Sequence, residues 1–341
     1  MIEYKILVKD GDGDPIGEFD TFTDLTFGKK LNNFGECSFK IPTNDPKLSS
    51  LIALRVYTVE IYRDGVLIWA GEQANREGEL NEDGDNWCQI TCYDWLEQLS
   101  DRYTVNEKIY EYQDGTEIFK DLLNTTNADS PTGITVGSTV PTTWREKTYT
   151  NQSVLDAMIS LANMTGGFDF EVTNGKELNN YEFKGIDRSD EIILEYGINI
   201  KKIRLTEDFS KPATRAIILG SDGKDQVRTE VDDLVAQGVY GLREYVFNQL
   251  EESEQTTFED TGNAVLRKYG SPLMKVSMDL VRGITPTIDD FALGDIITLI
   301  VQRGTYDIKE PFRVYEWEVV YNDDNTETLK LTLSNFFNEL S

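Results

Sequence analysis

The sequence predicts a β-rich α+β chain, and three observations carry that reading. Apolar and polar residues alternate over roughly the first hundred and the last seventy positions, the period of strands with one buried face. Apolar stripes at helical spacing are confined to the middle of the chain. At 341 residues the chain exceeds one average domain and can bury real cores, so two or more packed units are expected.

The first hundred residues read as strands joined by tight turns. Tyr57, Val59 and Ile61 share one side of a strand; Asp64-Gly65 then supplies the two positive-φ positions of a type I′ turn before Val66 to Ala70 returns. Alternation recurs in Ser38 to Ile41 and in Trp87 to Tyr93, where Cys88, Ile90 and Cys92 share a face, with the acidic, turn-rich Glu77 to Asn86 between them. This segment, residues 1 to 102, is expected to be a β-barrel or sandwich. It ends in a short helix, Asp94 to Leu99, with Asp94 as N-cap and Glu97 as its capping-box partner.

Residues 103 to 200 read as a compact α+β insertion. Asp114 and Glu117 form a second capping box ahead of the stripe Ile118, Phe119, Leu122 and Leu123. A loop follows from Asn124 to Pro141. Val154, Leu155, Met158, Ile159 and Leu161 mark another amphipathic helix, stopped at Gly166-Gly167, and a hairpin turns at Asn174-Gly175. Ile200 to Leu205 and Ala213 to Leu219 regain strand character, so residues 201 to 222 are expected to return to the barrel region, with a turn at Ser221 to Lys224. Residues 223 to 270 form an acidic, mixed peripheral segment whose clearest element is a helix over Phe258 to Tyr269. Arg267 and Lys268 sit at its negative end, and Gly270 then Pro272 stop it. From residue 271 to 341 strands resume at Lys275 to Val281, Asp295 to Val301, Phe312 to Tyr321 and Thr328 to Leu333, with Asn322 to Asn325 as a hairpin loop.

Composition narrows function. With 61 acidic and 33 basic residues the net charge is -28, which repels nucleic acid, because phosphate binding needs Lys and Arg to displace counterions. Solubility at high concentration or adaptation to salt would explain the same balance. A hydrophobic fraction of 39% excludes a disordered polyelectrolyte. The absence of histidine removes Ser-His-Asp and Cys-His catalysis and the usual zinc catalytic sites. Cys37, Cys88 and Cys92 are expected to be small buried thiols rather than a disulfide or metal site. The stretch Met1 to Asp10 lacks signal-peptide features and no apolar run approaches a membrane span, so assembly inside a cell is expected.

Candidate chemistry is sparse. Asp10-Gly-Asp-Gly-Asp14 resembles the start of a calcium loop, but Pro15 takes the glycine place and Thr21 stands where a bidentate Glu belongs, so a solvated hairpin loop is expected. The same glycines lack the third member and following helix of a dinucleotide fingerprint. Asp94, Glu97 and Glu111 lie in sequence near Trp87 and Trp95, a combination that an acid-based glycosidase could use, although the first two are accounted for as caps. No Walker A or G-x-S-x-G motif is present. No catalytic, cofactor-binding or metal residue is therefore assigned.

Several stretches together resemble the tail hub proteins of bacteriophages, the family that includes contractile-tail baseplate hubs and the hub-like part of tail-associated proteins. They are Leu31-Asn-Asn-Phe-Gly-Glu-Cys-Ser-Phe-Lys-Ile-Pro42, Val59-Glu-Ile-Tyr-Arg-Asp-Gly-Val-Leu-Ile-Trp-Ala-Gly71 and Cys88-Gln-Ile-Thr-Cys-Tyr-Asp-Trp-Leu-Glu-Gln-Leu99, followed near the other end by Phe291-Ala-Leu-Gly-Asp-Ile-Ile-Thr-Leu299. The resemblance implies two tube-type β-barrel domains, at residues 1 to 102 and 271 to 341, with peripheral α+β insertion domains. It further implies a homotrimeric, pseudo-hexameric ring at the virion tail tip, joining a six-fold tube to a three-fold tip, because a doubled barrel resolves that mismatch. The partners implied are a distal tail or tube protein ring, a tape measure protein and a central fibre or tip protein, with DNA passing an acidic channel unbound. No cofactor is implied. Because the chain ends soon after its last strand, no cell-wall-cleaving domain is expected. A carbohydrate- or receptor-binding module, and an acid-based glycoside hydrolase, are the competing readings.

Overall fold

The computed structural model describes all residues except 1, 20, 50, 83, 85, 105, 106, 165, 221–227, 249–254, 322, 323 and 336–341. Seven strands come first: β1 (Tyr4–Lys9), β2 (Pro15–Phe19), β3 (Thr23–Lys30), β4 (Glu36–Pro42), β5 (Thr58–Arg63), β6 (Val66–Glu79) and β7 (Trp87–Asp94). A 3-10 turn, Trp95–Leu99, leads into β8 (Glu107–Asp114), α1 (Gly115–Asp129), β9 (Thr135–Val136), β10 (Trp144–Thr150), α2 (Val154–Ala162), β11 (Asp169–Val172) and β12 (Glu177–Tyr181). Then come β13 (Ile193–Glu195), β14 (Ile200–Asp208), β15 (Arg215–Leu219), β16 (Arg228–Asp232), α3 (Leu234–Tyr240), β17 (Glu244–Asn248) and α4 (Gln255–Tyr269). The chain closes with β18 (Leu273–Leu280), β19 (Ile296–Arg303), β20 (Tyr306–Tyr321) and β21 (Glu327–Ser334).

The two ends of the chain share one sheet. Its main path runs β14-β18-β21-β20-β3-β4-β7-β6-β5-β1-β2, with β19 on β20 and β13 parallel to β19. The 16-residue β20 is the seam: its first half pairs with β19, and its second half lies between β21 and β3. At roughly 3.3 Å per residue it spans about 50 Å, enough to belong to both strand groups. A bulge at Val314/Glu316 marks the change of partners. One hydrophobic core follows the whole sheet, from Ile6, Phe39 and Trp69 at one end to Val276, Leu299 and Phe312 at the other.

Local expectations hold where local chemistry decides. Asp64 and Gly65 take φ of 49° and 81° and close the β5–β6 hairpin. Asp94 and Asp114 cap as expected, accepting from Leu96 N and Thr116 N, and the stripe Ile118, Phe119, Leu122 and Leu123 is buried. Neither capping-box partner closes its box. Glu97 is instead bound by the Arg55 guanidinium at 2.5 and 3.0 Å, and Glu117 by Lys120 at 2.5 Å. In each case a cation offers a stronger bond than one further backbone N–H. The expected loop from Asn124 begins as the last turns of α1, and Glu77 to Glu79 continue β6.

The stretch from 201 to 222 divides. β14 joins the large sheet, but β15 pairs with β16 and with β17 in a separate three-stranded sheet covered by α4, around Ala213, Ala216, Ile218, Phe258, Val265 and Leu266. Ala213 to Leu219 therefore does not return to the barrel region, since its apolar face finds α4 nearby in sequence. The expected turn at Ser221 to Lys224 and part of that at Asn322 to Asn325 lie outside the described residues.

The α+β insertion has its own core, built by α1, α2 and β11. That core also takes in Ala70, Trp95, Leu96 and Leu99, so the insertion is packed onto the first strand group.

Candidate assembly surface and the polar joint behind it

The carboxylates singled out in the sequence are occupied structurally. Asp10 accepts from Asp12 N and Asp14 N at 3.0 and 2.9 Å, folding the acidic loop between β1 and β2 onto itself. No group of metal-ligating side chains occurs among the described residues. Asp94 accepts from Gly35 N at 2.7 Å and Leu96 N at 3.1 Å, tying the β3–β4 turn to the end of β7. Burial pushes its carboxyl up to about 6, opposed by those two N–H groups and the Lys29 ammonium. Glu97 is held in its pair with Arg55, and Glu111 is exposed on β8. Cys37 and Cys92 face each other across β4 and β7, and all three cysteines are buried free thiols. Burial raises the thiol pKa of Cys37 and Cys92 well above the ordinary range, which keeps them protonated and inert.

A denser constellation, not expected from the sequence, joins the insertion to the sheet. Arg313 of β20 and Asp169 of β11 form an ion pair in which both side chains are almost wholly buried. Arg313 also donates to Gly294 O at 3.1 Å and Lys184 O at 2.9 Å, and its guanidinium lies 3.9 Å from the Phe183 ring centre. Asp169 accepts from Asn32 Nδ2 at 3.0 Å and Lys184 N at 2.8 Å, while Asn32 Oδ1 accepts from Phe170 N at 2.7 Å. Five separated chain segments, around residues 32, 169, 184, 294 and 313, thus meet at one charge pair. Buried ions are tolerated when each is met by opposite charge and hydrogen bonds, and here only Arg313 Nη1 lacks an acceptor among the described residues. The one sequence signal was an arginine inside the apolar run Phe312-Arg-Val314.

The motif Leu293-Gly-Asp295 is part of this joint. Gly294 has φ of 89°, and a Cβ there would overlap the Lys184 carbonyl. Asp295 accepts from Ile186 N and Ala292 N, at 2.8 and 2.9 Å, and faces Arg188 at 3.3 Å. The motif therefore turns the chain into β19 while gripping the segment that leaves the insertion. Beside the joint, a cleft of about 530 Å³ is lined by Lys29, Leu67, Glu171, Lys184, Phe291 and Trp317. Its charges are spent on neighbours: Lys184 pairs with Glu171, and Lys29 donates to Asn174 Oδ1 at 2.7 Å.

Exposed apolar side chains mark the outside. Tyr112 and Trp144 lie against each other on the β8–β10 ribbon, with ring centres 5.2 Å apart and both side chains more than half exposed. The short α3 buries only Ala236 and exposes Leu234, Val235 and Val239. Single exposed apolar side chains are ordinary on protein surfaces, and only a large contiguous patch marks a contact site. No helix among the described residues is long and apolar enough to cross a membrane.

Residues 187–341 match the family described as prophage endopeptidase tail. The tail protein from Neisseria meningitidis MC58 superposes with a TM-score of 0.70 at 13% identity, covering 97% of this chain and 96% of that one. Prophage tail protein gp18 from Listeria monocytogenes EGD-e gives 0.68 at 12% identity over 97% and 94%. The E. coli c3393 protein is described as a type VI secretion component structurally similar to the T4 tail proteins gp27 and gp5. It gives 0.52 at 9% identity over 98% and 74%. No curated protein sequence matches the chain. The resemblance drawn from sequence motifs is upheld by the family match and by the fold. Residues 187–341 carry the signature of the prophage endopeptidase tail family, on a chain whose whole fold is that of phage tail proteins.

Proposed function

We propose that the chain is the structural hub subunit of a phage tail tip, forming a homotrimeric ring that joins a six-fold tail tube to a three-fold tip. The observation that carries this reading is the pair of strand groups joined through β20 and β3 in a single chain. In this reading β1 to β7 form one tube-type barrel. β13, β14 and β18 to β21 form the other, with the bridge between Tyr196 and Ile200 bringing β13 back to β14. The insertion and the β15–β17 unit are peripheral. Three copies then present six similar docking surfaces, which is what a six-fold ring requires of a three-fold one.

The partners are a second and third copy, the distal tail or tube protein ring, the tape measure protein and the central fibre or tip protein, all in the virion tail tip. A net charge of -28 suits a channel through which DNA slides without being held. The role is non-enzymatic: Asp94 and Glu97, the carboxylates nearest to a hydrolase reading, serve as a cap and an ion-pair partner. The word endopeptidase belongs to the family's description.

Negative-stain imaging of the protein at high concentration, alone and with its neighbouring tail proteins, tests the ring. Three-fold particles with an open pseudo-hexagonal channel are expected. Compact particles under both conditions would favour a glycan-binding module instead. Clearing of a cell-wall zymogram by the pure protein would overturn the non-enzymatic role.

A further inference from the structure

Three cations line the cleft beside the joint. Arg63 is paired with Glu327 and Lys184 with Glu171, whereas Lys29 has no ion pair among the described residues. Its Nζ donates instead to an uncharged group, Asn174 Oδ1, at 2.7 Å. Burial lowers the pKa of the Lys29 ammonium, and the charges of Asp94 and Glu171 oppose this without cancelling it. A larger share of the group is therefore the neutral amine, which is the nucleophilic form of lysine.

Both ends of this contact are held in place. Lys29 is fixed in β3 opposite Trp317 of β20. Asn174 sits in the turn between β11 and β12, where its backbone carbonyl accepts from Trp95 Nε1 at 3.1 Å and Lys176 N donates to Thr173 O at 3.0 Å. Lys176 then covers the Trp95 ring, with Nζ 4.0 Å from its centre. An amine and a side-chain carboxamide 145 residues apart are thus kept in contact by packed elements. Fixing a nucleophile against a carbonyl group replaces a bimolecular encounter by an intramolecular one, the largest single aid to such a reaction.

We propose that Lys29 and Asn174 join spontaneously in the folded chain, forming an isopeptide bond that locks β3 of the large sheet to the β11–β12 hairpin of the insertion. The neutral Lys29 Nζ attacks Asn174 Cγ, and the C=O electron pair moves to Oδ1. As the carbonyl re-forms, the Cγ–Nδ2 bond breaks, and Nδ2 leaves as ammonia with one proton taken from Nζ. Glu171, on the wall of the same cleft, carries that proton. The reaction consumes no oxidant and no cofactor. All three cysteines are buried free thiols, so such a bond would give the chain a covalent tie that no reductant can open, and a tie across this span restricts the unfolded chain. The inference stands apart from the ring and holds whether or not three copies assemble.

The test weighs the intact full chain by mass spectrometry, after incubation in mildly alkaline buffer that favours the neutral amine, and then digests it. The expected mass is that of the sequence less one ammonia, with a branched peptide linking the segments that hold Lys29 and Asn174. Lys29→Arg and Asn174→Ala should each keep their full sequence mass. An unaltered protein at its full sequence mass, or made heavier by deamidation of Asn174, would overturn the proposal. So would a loss of ammonia that persists in Lys29→Arg, because Asn174-Gly175 would then have closed on its own backbone as a succinimide. The branched peptide is sought in the unaltered protein, so the outcome does not depend on either variant folding.

Discussion

Replacing Arg313 with Met tests the joint most directly. The change keeps a long apolar side chain against Phe183 but removes the charge, leaving Asp169 buried with Asn32 Nδ2 and Lys184 N as its donors among the described residues. Stranding one partner of a buried ion pair costs about 3–5 kcal/mol, a large share of the roughly 5–15 kcal/mol that holds a domain folded. Asp169→Asn strands Arg313 instead and should cost a similar amount. The double variant leaves no buried charge at this site, so it should be more stable than the sum of the two losses by about 2 kcal/mol or more. Urea unfolding of the four proteins, with hydrogen exchange to locate the loss, closes the cycle. Exchange should rise first in β11 and β12, because the pair ties β11 to β20. Single losses below about 1 kcal/mol, adding without coupling, would refute the view that this pair clamps the insertion to the sheet.

Gly294→Ala is expected to destabilise by at least about 2 kcal/mol, through its positive φ and the overlap with the Lys184 carbonyl, as a lowered thermal midpoint would show. Asp94 provides a pH signature. Its folded pKa, about 6, lies above the unfolded value near 3.9, so the folded state binds the proton more readily and stability rises as pH falls. Between pH 7.5 and 5 the gain from this group is about 1.4 kcal/mol, measurable by urea unfolding at the two values. Asp94→Asn should remove that increment and lower stability, because an amide has one acceptor oxygen for the two N–H groups of Gly35 and Leu96. Trp144→Ser should change stability by less than about 1 kcal/mol, since the side chain is mostly exposed; thermal unfolding checks this.

Features set within a few residues were legible in the sequence by itself. The Asp64-Gly65 turn, the caps at Asp94 and Asp114, the buried stripe of α1 and the alternation of β7 all depend on neighbours close in the chain. The acidic balance and the lack of histidine were equally plain, and with them the poverty of catalytic options. Only the tertiary structure decided which strands pair, because alternation says that a strand has a buried face and not what buries it. β15 looked like β14 by that measure, yet the two belong to different sheets. Glu97 fitted a capping box until Arg55 arrived from another segment, and Asp169 and Arg313 are 144 residues apart with nothing local to connect them. Burial makes that last partnership compulsory: once folding removes both charges from water, each must find the other or remain unsatisfied, and periodicity carries no trace of such a long-range demand.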